Sequence, residues 1–209
     1  MDPFPTQVYY TLYGIVLPEY RIPGVENAFA DEAYDVFSQS FTDPRVRYAE
    51  NFKEILVALE QRTAAYCLLP LEESGGKRIR SVEEIILKND LKINGVTPVF
   101  GFDGSADMKY ALVSKEFCKT SRERGDDRYL EIRMSFDTKV QLAEIFSAAY
   151  NTGLSVYRVD TSYLDSDDGT SSYITLVFKS DNTDFTKLLV YLTLYTQSYV
   201  IVGLYKNLE

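Results

Sequence analysis

The residue types best suited to acid–base chemistry follow an apolar run in the first half of the chain. Residues 64–71 are almost entirely apolar, and Glu72, Glu73 and Ser74 come directly after them. Two adjacent carboxylates raise the pKa of one member, so such a pair can supply a general acid beside a general base. Neighbouring side chains on a strand point to opposite faces, whereas a loop can bring them together. We therefore expect a loop here and keep Glu72 and Glu73 as a candidate acid–base pair.

The absence of histidine narrows the chemistry that the chain can perform. Without histidine there are no Ser-His or Cys-His nucleophile pairs and no His-based zinc sites. Cys67 and Cys118 lie far apart in the sequence and form no disulfide framework, so both are expected to be reduced thiols. Catalysis would use carboxylates, lysine, tyrosine or hydroxyl groups, and we expect no metal and no cofactor.

Two further motifs suggest ion binding but lack the required spacing. The acidic segment 165–169 fails as a calcium loop, because aligning Gly169 leaves apolar Leu164 in the first ligand position. It is better interpreted as a hairpin turn. The basic residues Lys77, Arg78 and Arg80 follow two glycines without the phosphate-loop pattern, so we expect a solvated basic loop there, with an anion site at the start of the following helix as the less favoured alternative.

Composition and charge favour a soluble protein of two small domains. The chain has 209 residues, 45% of them hydrophobic, and carries 22 Lys and Arg against 31 Asp and Glu, a net charge of -9. This charge repels a phosphate backbone, so nucleic acid is not an expected partner. The first residues have no signal-peptide pattern, and no apolar run reaches the roughly 18 residues of a membrane span. We expect a cytoplasmic protein without membrane association.

The first half has the pattern of an α/β domain with partly parallel strands. Apolar periodicity predicts strands at 8–17, 64–71 and 110–114, and helices at 28–37, 50–61 and 81–88. Ser81 and Glu84 suggest a capping box at the start of the last helix. The polar segment 119–128 is expected to be the boundary between the domains.

The second half predicts a strand–helix–strand–strand–helix–strand order. The elements are expected at 129–136, 140–150, 154–161, 172–178, 185–195 and 199–205. This βαββαβ order is typical of a ferredoxin-like α+β sandwich.

Several segments, taken in order, resemble the prephenate dehydratase family. Residues 70–74 are similar to the family's Pro-Ile/Leu-Glu-Asn-Ser loop, and residues 91–96 to its Leu-x-Ile-x-Gly-Glu segment. Residues 108–113 resemble the strand that begins Thr-Arg-Phe, and 200–205 the end of its ACT domain. The resemblance implies a truncated, periplasmic-binding-protein-like catalytic lobe at 1–120 and an amino-acid-sensing ACT domain at 127–209.

The chain departs from the family at the positions that carry catalysis. Met108 stands where the family has its catalytic Thr, Lys109 replaces the Arg, and Glu73 replaces the Asn. Methionine has no proton to donate, and a lysine gives a point charge instead of a bidentate clamp. The second lobe that the family inserts before residue 108 is also missing from the sequence. The resemblance therefore implies an inactive relative.

The ACT resemblance assigns a ligand site and an oligomeric state. The family holds phenylalanine at a dimer interface, and the matching positions here are Val140, Gln141, Leu142, Asp160, Thr161 and Ser162. Asp160 keeps a carboxylate for an ammonium group, but Val140 replaces a glycine that allows close approach. An amino-acid ligand, a different small ligand or none all remain open, and a homodimer is expected.

Three functions are consistent with these residues. The first is a non-catalytic binding or regulatory dimer in aromatic amino-acid metabolism. The second is an active shortened dehydratase that uses Glu72, Glu73, Ser74 and Lys109. The third is an interaction module without a ligand. A turnover assay separates the second from the others, and ligand-induced stabilisation separates the first from the third.

Overall fold

The computed structural model describes residues 11–14, 28–41, 44–49, 51–101, 106–118, 128–135, 142–166, 169–181, 183–196 and 198–208. Contacts within the chain divide it into two compact units. The first unit comprises residues 1–91, 95–116 and 208–209. The second comprises residues 92–94 and 117–207.

The first unit is a mixed sheet with three helices. Its elements are β1 (Thr11–Gly14), α1 (Ala28–Ser38), β2 (Arg45–Tyr48), α2 (Phe52–Glu60), β3 (Tyr66–Glu73), α3 (Arg80–Lys88), β4 (Lys92–Phe100) and β5 (Ala106–Ser114). The strand order is β2-β1-β3-β5-β4. β1 runs parallel to both β2 and β3, whereas β3 and β5 are antiparallel. The expectation of partly parallel pairing is confirmed.

Burial on both faces explains why β3 reads as a continuous apolar run. Six of its eight residues are buried, which is typical of a central strand covered on both sides. Ile55 and Leu59 of α2 and Phe37 of α1 are also fully buried in this unit. The start of α2 is capped by Asn51, whose Oδ1 accepts a hydrogen bond of 3.0 Å from the backbone N–H of Glu54.

Two sequence predictions for the first unit were wrong, and two of its strands were not predicted. β3 continues through Glu72 and Glu73, so these residues lie on a strand and not in a loop. Strands β2 and β4 were not predicted. Helix α3 begins at Arg80 with Ile79 in the capping position and no side-chain cap, because Ser81 already lies inside the helix. The capping box is therefore not formed.

The connection between β4 and β5 is short. β4 ends at Phe100 and β5 begins at Ala106, and the two strands are neighbours in the sheet. Five residues are enough for a hairpin loop but not for a domain. The chain therefore has no inserted lobe at this point.

The second unit has a ferredoxin-like topology. Its elements are β6 (Arg128–Ser135), α4 (Leu142–Asn151), β7 (Ser155–Ser166), β8 (Gly169–Ser180), α5 (Thr186–Tyr195) and β9 (Tyr199–Lys206). The strand order is β9-β6-β8-β7, and every adjacent pair is antiparallel. The predicted βαββαβ order is confirmed, and the acidic segment lies at the β7–β8 hairpin, whose pairing extends to Ser166 and Gly169.

One face of this second sheet forms an apolar core with both helices. Leu130, Ile132 and Met134 alternate along β6 and pack with buried residues of β8, α4 and α5. Residues between them, such as Glu131 and Arg133, point to the other face and are also buried. Unusually for such a sheet, the second face therefore carries buried charged groups.

The described residues contain neither a membrane-spanning helix nor a cluster of metal-binding side chains. Within the described ranges, every helix is too short or too polar to cross a membrane. In the same part of the chain, no three carboxylate or cysteine side chains are close enough together to hold a metal ion.

We predict that Gly95→Ala destabilises the first unit. A Cβ atom at Gly95 would lie 2.7 Å from Cε1 of the buried Phe37 ring. Overpacking of this kind costs about 1–3 kcal/mol, and chemical denaturation measures it. Phe37→Leu shortens the clashing side chain, so the double variant should lose less stability than the sum of the two single variants. Additive losses would contradict the assigned contact.

Candidate functional site

The first candidate site is a carboxylate held between two cations. Lys109 Nζ lies 2.9 Å from Oε2 of Glu72, and Arg78 Nε lies 3.2 Å from its Oε1. The side chains of Glu72 and Arg78 are only 5% and 7% exposed, whereas that of Lys109 is 29% exposed. Each oxygen of Glu72 therefore has a cationic partner inside the protein.

A tight hairpin brings Arg78 opposite Glu72. The backbone N–H of Glu73 donates to the carbonyl of Lys77 over 2.8 Å, and Glu72 and Arg78 form an antiparallel bridge. The turn contains Gly75 and Gly76, both with φ near +80°, a conformation that side chains with a Cβ disfavour. The expectation of a solvated basic loop is therefore wrong for Arg78, although Lys77 and Arg80 are exposed.

Strand pairing brings Lys109 to the other side of the carboxylate. Glu72 is paired with Lys109 and Glu73 with Met108 along β3 and β5, after an irregularity between Pro70 and Glu72. Directly opposite residues in a sheet point to the same face, which places the ammonium against the carboxylate. Register therefore determines which cation neutralises Glu72.

The candidate acid–base pair is separated by this arrangement. Glu72 is buried against two cations, whereas its neighbour Glu73 is half-buried and Ser74 is exposed in the turn. Neighbours on a strand point to opposite faces. Met108, which the sequence resemblance aligns with the family's catalytic Thr, is 4% exposed. The geometry is that of a buried ion-pair network, and it does not present two carboxylates to one substrate.

The buried thiol of Cys67 in β3 is not a nucleophile. Complete burial raises its pKa, because the thiolate would lose its hydration. Cys67 and Cys118 are both free, in agreement with the sequence analysis.

The predicted ligand residues of the second unit fall on β7 and at the start of α4. Val140 and Gln141 lie outside the described residues, and Leu142 is the first residue of α4. Asp160, Thr161 and Ser162 follow one another on β7. The carboxylate Oδ2 of Asp160 is paired with Nε of Arg158 on the same strand, a partner that the sequence analysis did not predict.

These residues belong to a polar row across three strands. Asp160 pairs with Thr175 of β8, which in turn pairs with Arg133 of β6. Arg133 Nε donates to Thr175 Oγ1 over 3.1 Å. Ser162 shares this face with Asp160, and its buried hydroxyl has no hydrogen-bond partner among the described residues. The row thus offers a guanidinium, a carboxylate and a hydroxyl group.

The second unit also contains an open groove with a volume of about 770 Å³. It lies between the end of α4 and the start of β7 and is lined by Phe146, Ser147, Tyr150, Asn151, Gly153, Leu154, Ser155, Val156, Lys179 and Asp181. Lys179 and Asp181 form an ion pair of 3.5 Å at its edge. Of the predicted ligand residues that the structure describes, none lines this groove.

No protein-family model matches the chain, and no curated protein matches it. Among solved structures, it is similar to a prephenate dehydratase from Streptococcus mutans, with a TM-score of 0.67, 13% identity and coverage of 96% of this chain and 100% of that one. It is also similar to a prephenate dehydratase from Arthrobacter aurescens in complex with L-Phe, with a TM-score of 0.64, 12% identity and coverage of 94% and 89%.

A third similar structure is that of GqqA, described as a novel type of quorum quenching acylase. Its TM-score is 0.63, its identity is 15%, and the match covers 94% of each chain. Identities this low carry information about the fold alone. The chain has the prephenate dehydratase fold. Because the same fold occurs in proteins described as a dehydratase and as an acylase, the activity must be argued from the site.

Sequence reasoning did not predict the contacts of two arginines, Arg78 with Glu72 and Arg158 with Asp160. Arg78 was recognisable only through the Gly75-Gly76 turn, which predicts a hairpin that folds the chain back onto Glu72. Arg158 was recognisable because it is two residues from Asp160, the spacing of side chains on the same face of a strand.

We predict that Glu72→Gln destabilises the first unit by about 3 kcal/mol, since removing one partner of a buried ion pair leaves uncompensated charge. Glu73→Gln is the matched control and should cost less than about 1 kcal/mol, because Glu73 is half-buried at the end of the strand. Urea denaturation of both variants makes the comparison. If both variants lose the same free energy of unfolding, the ion pairs of Glu72 with Lys109 and Arg78 do not stabilise the unit.

Proposed function

We propose that this protein is a catalytically inactive relative of the prephenate dehydratases that acts in the cytoplasm as an amino-acid-binding regulatory dimer. In this proposal its ferredoxin-like unit is an ACT domain. The observation that carries the proposal is the buried Met108 beside an internally neutralised Lys109 and Glu72. The proposed pathway is aromatic amino-acid metabolism.

The loss of catalysis is supported by what occupies the position of the family's catalytic hydroxyl. Dehydration of prephenate needs a proton donor for the departing hydroxyl group. Met108 has none, and its side chain is buried. The thioether can neither donate nor relay a proton, so general acid catalysis from this position is not available.

The ion-pair network supports the same conclusion. Prephenate carries two carboxylates, and the family would bind one of them with the arginine that Lys109 replaces here. The ammonium of Lys109 lies 2.9 Å from Glu72. A substrate carboxylate would have to compete with that contact and would also approach the negative charge of Glu72. Substrate binding is therefore disfavoured before any chemical step.

Amino-acid binding is supported by the polar row on the second unit. An amino acid presents an ammonium and a carboxylate; the row offers Asp160 for the first, in competition with Arg158, whereas Arg133 is buried and already donates to Thr175. The hydroxyl of Ser162 adds a hydrogen-bonding group that has no partner among the described residues. The similar structure from Arthrobacter aurescens contains L-Phe, so phenylalanine is the first ligand to test.

We predict that L-phenylalanine stabilises the protein. At 100 times its Kd, a ligand adds about 2.7 kcal/mol, which raises the Tm of a chain of this size by about 5 °C or more. Ser162→Ala should reduce this shift. Ser38→Ala, at a half-buried serine that ends α1 in the other unit, is the control and should keep it. D-phenylalanine tests whether the response is specific.

If L-phenylalanine, L-tyrosine and L-tryptophan all leave the Tm unchanged, the result would favour the alternative in which the protein is an interaction module that binds no ligand. An equal shift in the wild type and in Ser162→Ala would locate any binding site away from the polar row.

We also predict that prephenate is not converted to phenylpyruvate by the wild type or by Met108→Thr. The variant regains a hydroxyl at position 108, but Lys109 remains paired with Glu72 and the family's second lobe is still missing, so we expect no activity. Phenylpyruvate absorbance follows the reaction, and an active prephenate dehydratase serves as the positive control. Turnover by the wild type would establish the shortened enzyme instead, and turnover by the variant alone would show that only the hydroxyl had been lost.

A further inference from the structure

The groove at the end of α4 has the size and the lining of a small-molecule site. Its volume of about 770 Å³ falls within the range of about 300–1,000 Å³ that such sites have. Phe146 and Tyr150 are four residues apart on α4, so their rings lie on the same face of the helix. The buried Leu154 and Val156 of β7 add further apolar lining. The groove can therefore accommodate the apolar body of a small ligand.

Two of the apolar or aromatic side chains in this lining are open to solvent. Tyr150 is 82% exposed and Val156 is 38% exposed. A ligand that covered them would remove apolar surface from water, which favours binding. Aromatic rings also pack well against another ring, in offset or edge-to-face geometry. An aromatic body therefore suits this part of the groove.

The charges around the groove favour a cation. The last turn of α4 contains no basic residue, although the C-terminal end of a helix carries a partial negative charge that a cation stabilises. Asp181 adds a full negative charge, and its side chain is 80% exposed. The chain as a whole has a net charge of -9 and attracts cations to such a surface.

Lys179 carries the positive charge among the described residues that line the groove. Its Nζ lies 3.5 Å from Oδ1 of Asp181. An ion pair with so exposed a carboxylate contributes little free energy, because water screens it and two side chains must be ordered. The ammonium of a ligand whose body is fixed by apolar contacts can therefore take the place of Lys179 at the carboxylate. In that case Lys179 is an internal competitor of the ligand.

We infer that this groove binds a small organic amine in its ammonium form, with an aromatic body against Phe146 and Tyr150 and the charged group at Asp181. An alkylammonium has three N–H donors and no acceptor. The side-chain oxygens of Asn151 and Ser155 belong to the same lining and can accept its further hydrogen bonds. The faces of the aromatic rings add a favourable interaction with the cation.

This site is separate from the polar row. Val156 in the groove and Ser162 in the row are six residues apart on β7, roughly 20 Å along the strand. The inference therefore goes beyond the proposed function and does not depend on an amino-acid ligand at the row. The two can be tested independently in the same protein.

Two ligands of similar size and opposite charge test the inference in the wild type. Phenethylamine and hydrocinnamate both carry a phenyl ring on a short chain, which ends in an ammonium or a carboxylate. An amide-resolved NMR titration gives the Kd of each ligand and shows which residues it contacts. We expect saturable binding of phenethylamine, with the largest shifts at Asn151, Gly153 and Ser155. Hydrocinnamate should bind about tenfold more weakly.

Two charge-removing variants should change the Kd of phenethylamine in opposite directions. Asp181→Asn should raise it about fivefold, because the ammonium loses its carboxylate. Lys179→Met should lower it, because the internal competitor is removed. Asp35→Asn on α1 and Lys53→Met on α2 make the same changes in net charge at exposed positions of the other unit, and they should leave the Kd unchanged.

A third variant tests the aromatic lining. Tyr150→Ala removes an exposed ring from α4, and alanine is a good helix former, so the fold should be retained. The Kd of phenethylamine should rise several-fold, because the ligand loses apolar and cation–π contacts. An unchanged Kd would overturn the placement of the ligand against this ring.

The outcomes separate this inference from the proposed function. Absence of saturable phenethylamine binding overturns the inference, and so does tighter binding of hydrocinnamate. Weaker binding in both Asp181→Asn and Lys179→Met also overturns it, since a zwitterionic ligand would then fit better. The response to L-phenylalanine and its reduction in Ser162→Ala are measured separately, so the proposed function can fail while the amine site stands. Phenethylamine binding with opposite effects of the two charge variants supports the inference.

Discussion

The burial of Glu72 is the constraint on which the first unit depends. A carboxylate that is removed from water must be neutralised, since an isolated buried charge is strongly destabilising. Here Lys109 and Arg78 supply the compensation from two different strand contacts. The β3–β5 register and the glycine-containing hairpin must both be maintained for these contacts to form. Glu72 and Lys109, which resemble catalytic residues in the sequence, therefore form a structural ion pair in the folded chain.

The ion pairs of Glu72 alter the electrostatic effect expected of Glu72 and Glu73. From the sequence, Glu72 and Glu73 add two negative charges where a dianionic substrate would bind. In the folded chain Glu72 is neutralised by its neighbours, and Glu73 lies at the end of the strand beside Met108. Charge repulsion therefore contributes less to the proposed loss of catalysis than the ion pair that holds Lys109 and the methionine at position 108. These two features act on binding and on chemistry respectively.

The ferredoxin-like unit could be predicted from the sequence because local patterns and final structure agree. Alternation along β6 and the apolar stripe of α4 each match the core that forms. Strand β4 could not be predicted in this way, since Asn94, Gly95 and Pro98 have low strand propensity and are held by the sheet. Tertiary context overrode the local preference.

The ion-pair site was predictable only in part. Glu72 and Lys109 were chosen for resemblance to a catalytic site, yet their mutual contact depends on a register that no single-strand pattern reveals. The expected loop was wrong because Glu72 ends a strand whose burial continues past Pro70. In the second unit, the predicted positions on β7 were correct as strand residues, but the pairing of Asp160 with Arg158 was not anticipated.

Isothermal titration of the purified wild-type protein with prephenate tests the central claim most directly. The account predicts no measurable binding, because Lys109 is held by Glu72 and the hydroxyl position is a buried methionine. An active prephenate dehydratase under the same conditions shows that the titration can detect binding. Saturable binding of prephenate that is lost in Lys109→Met would contradict the account, since it would mean that the lysine serves a substrate and not the internal ion pair.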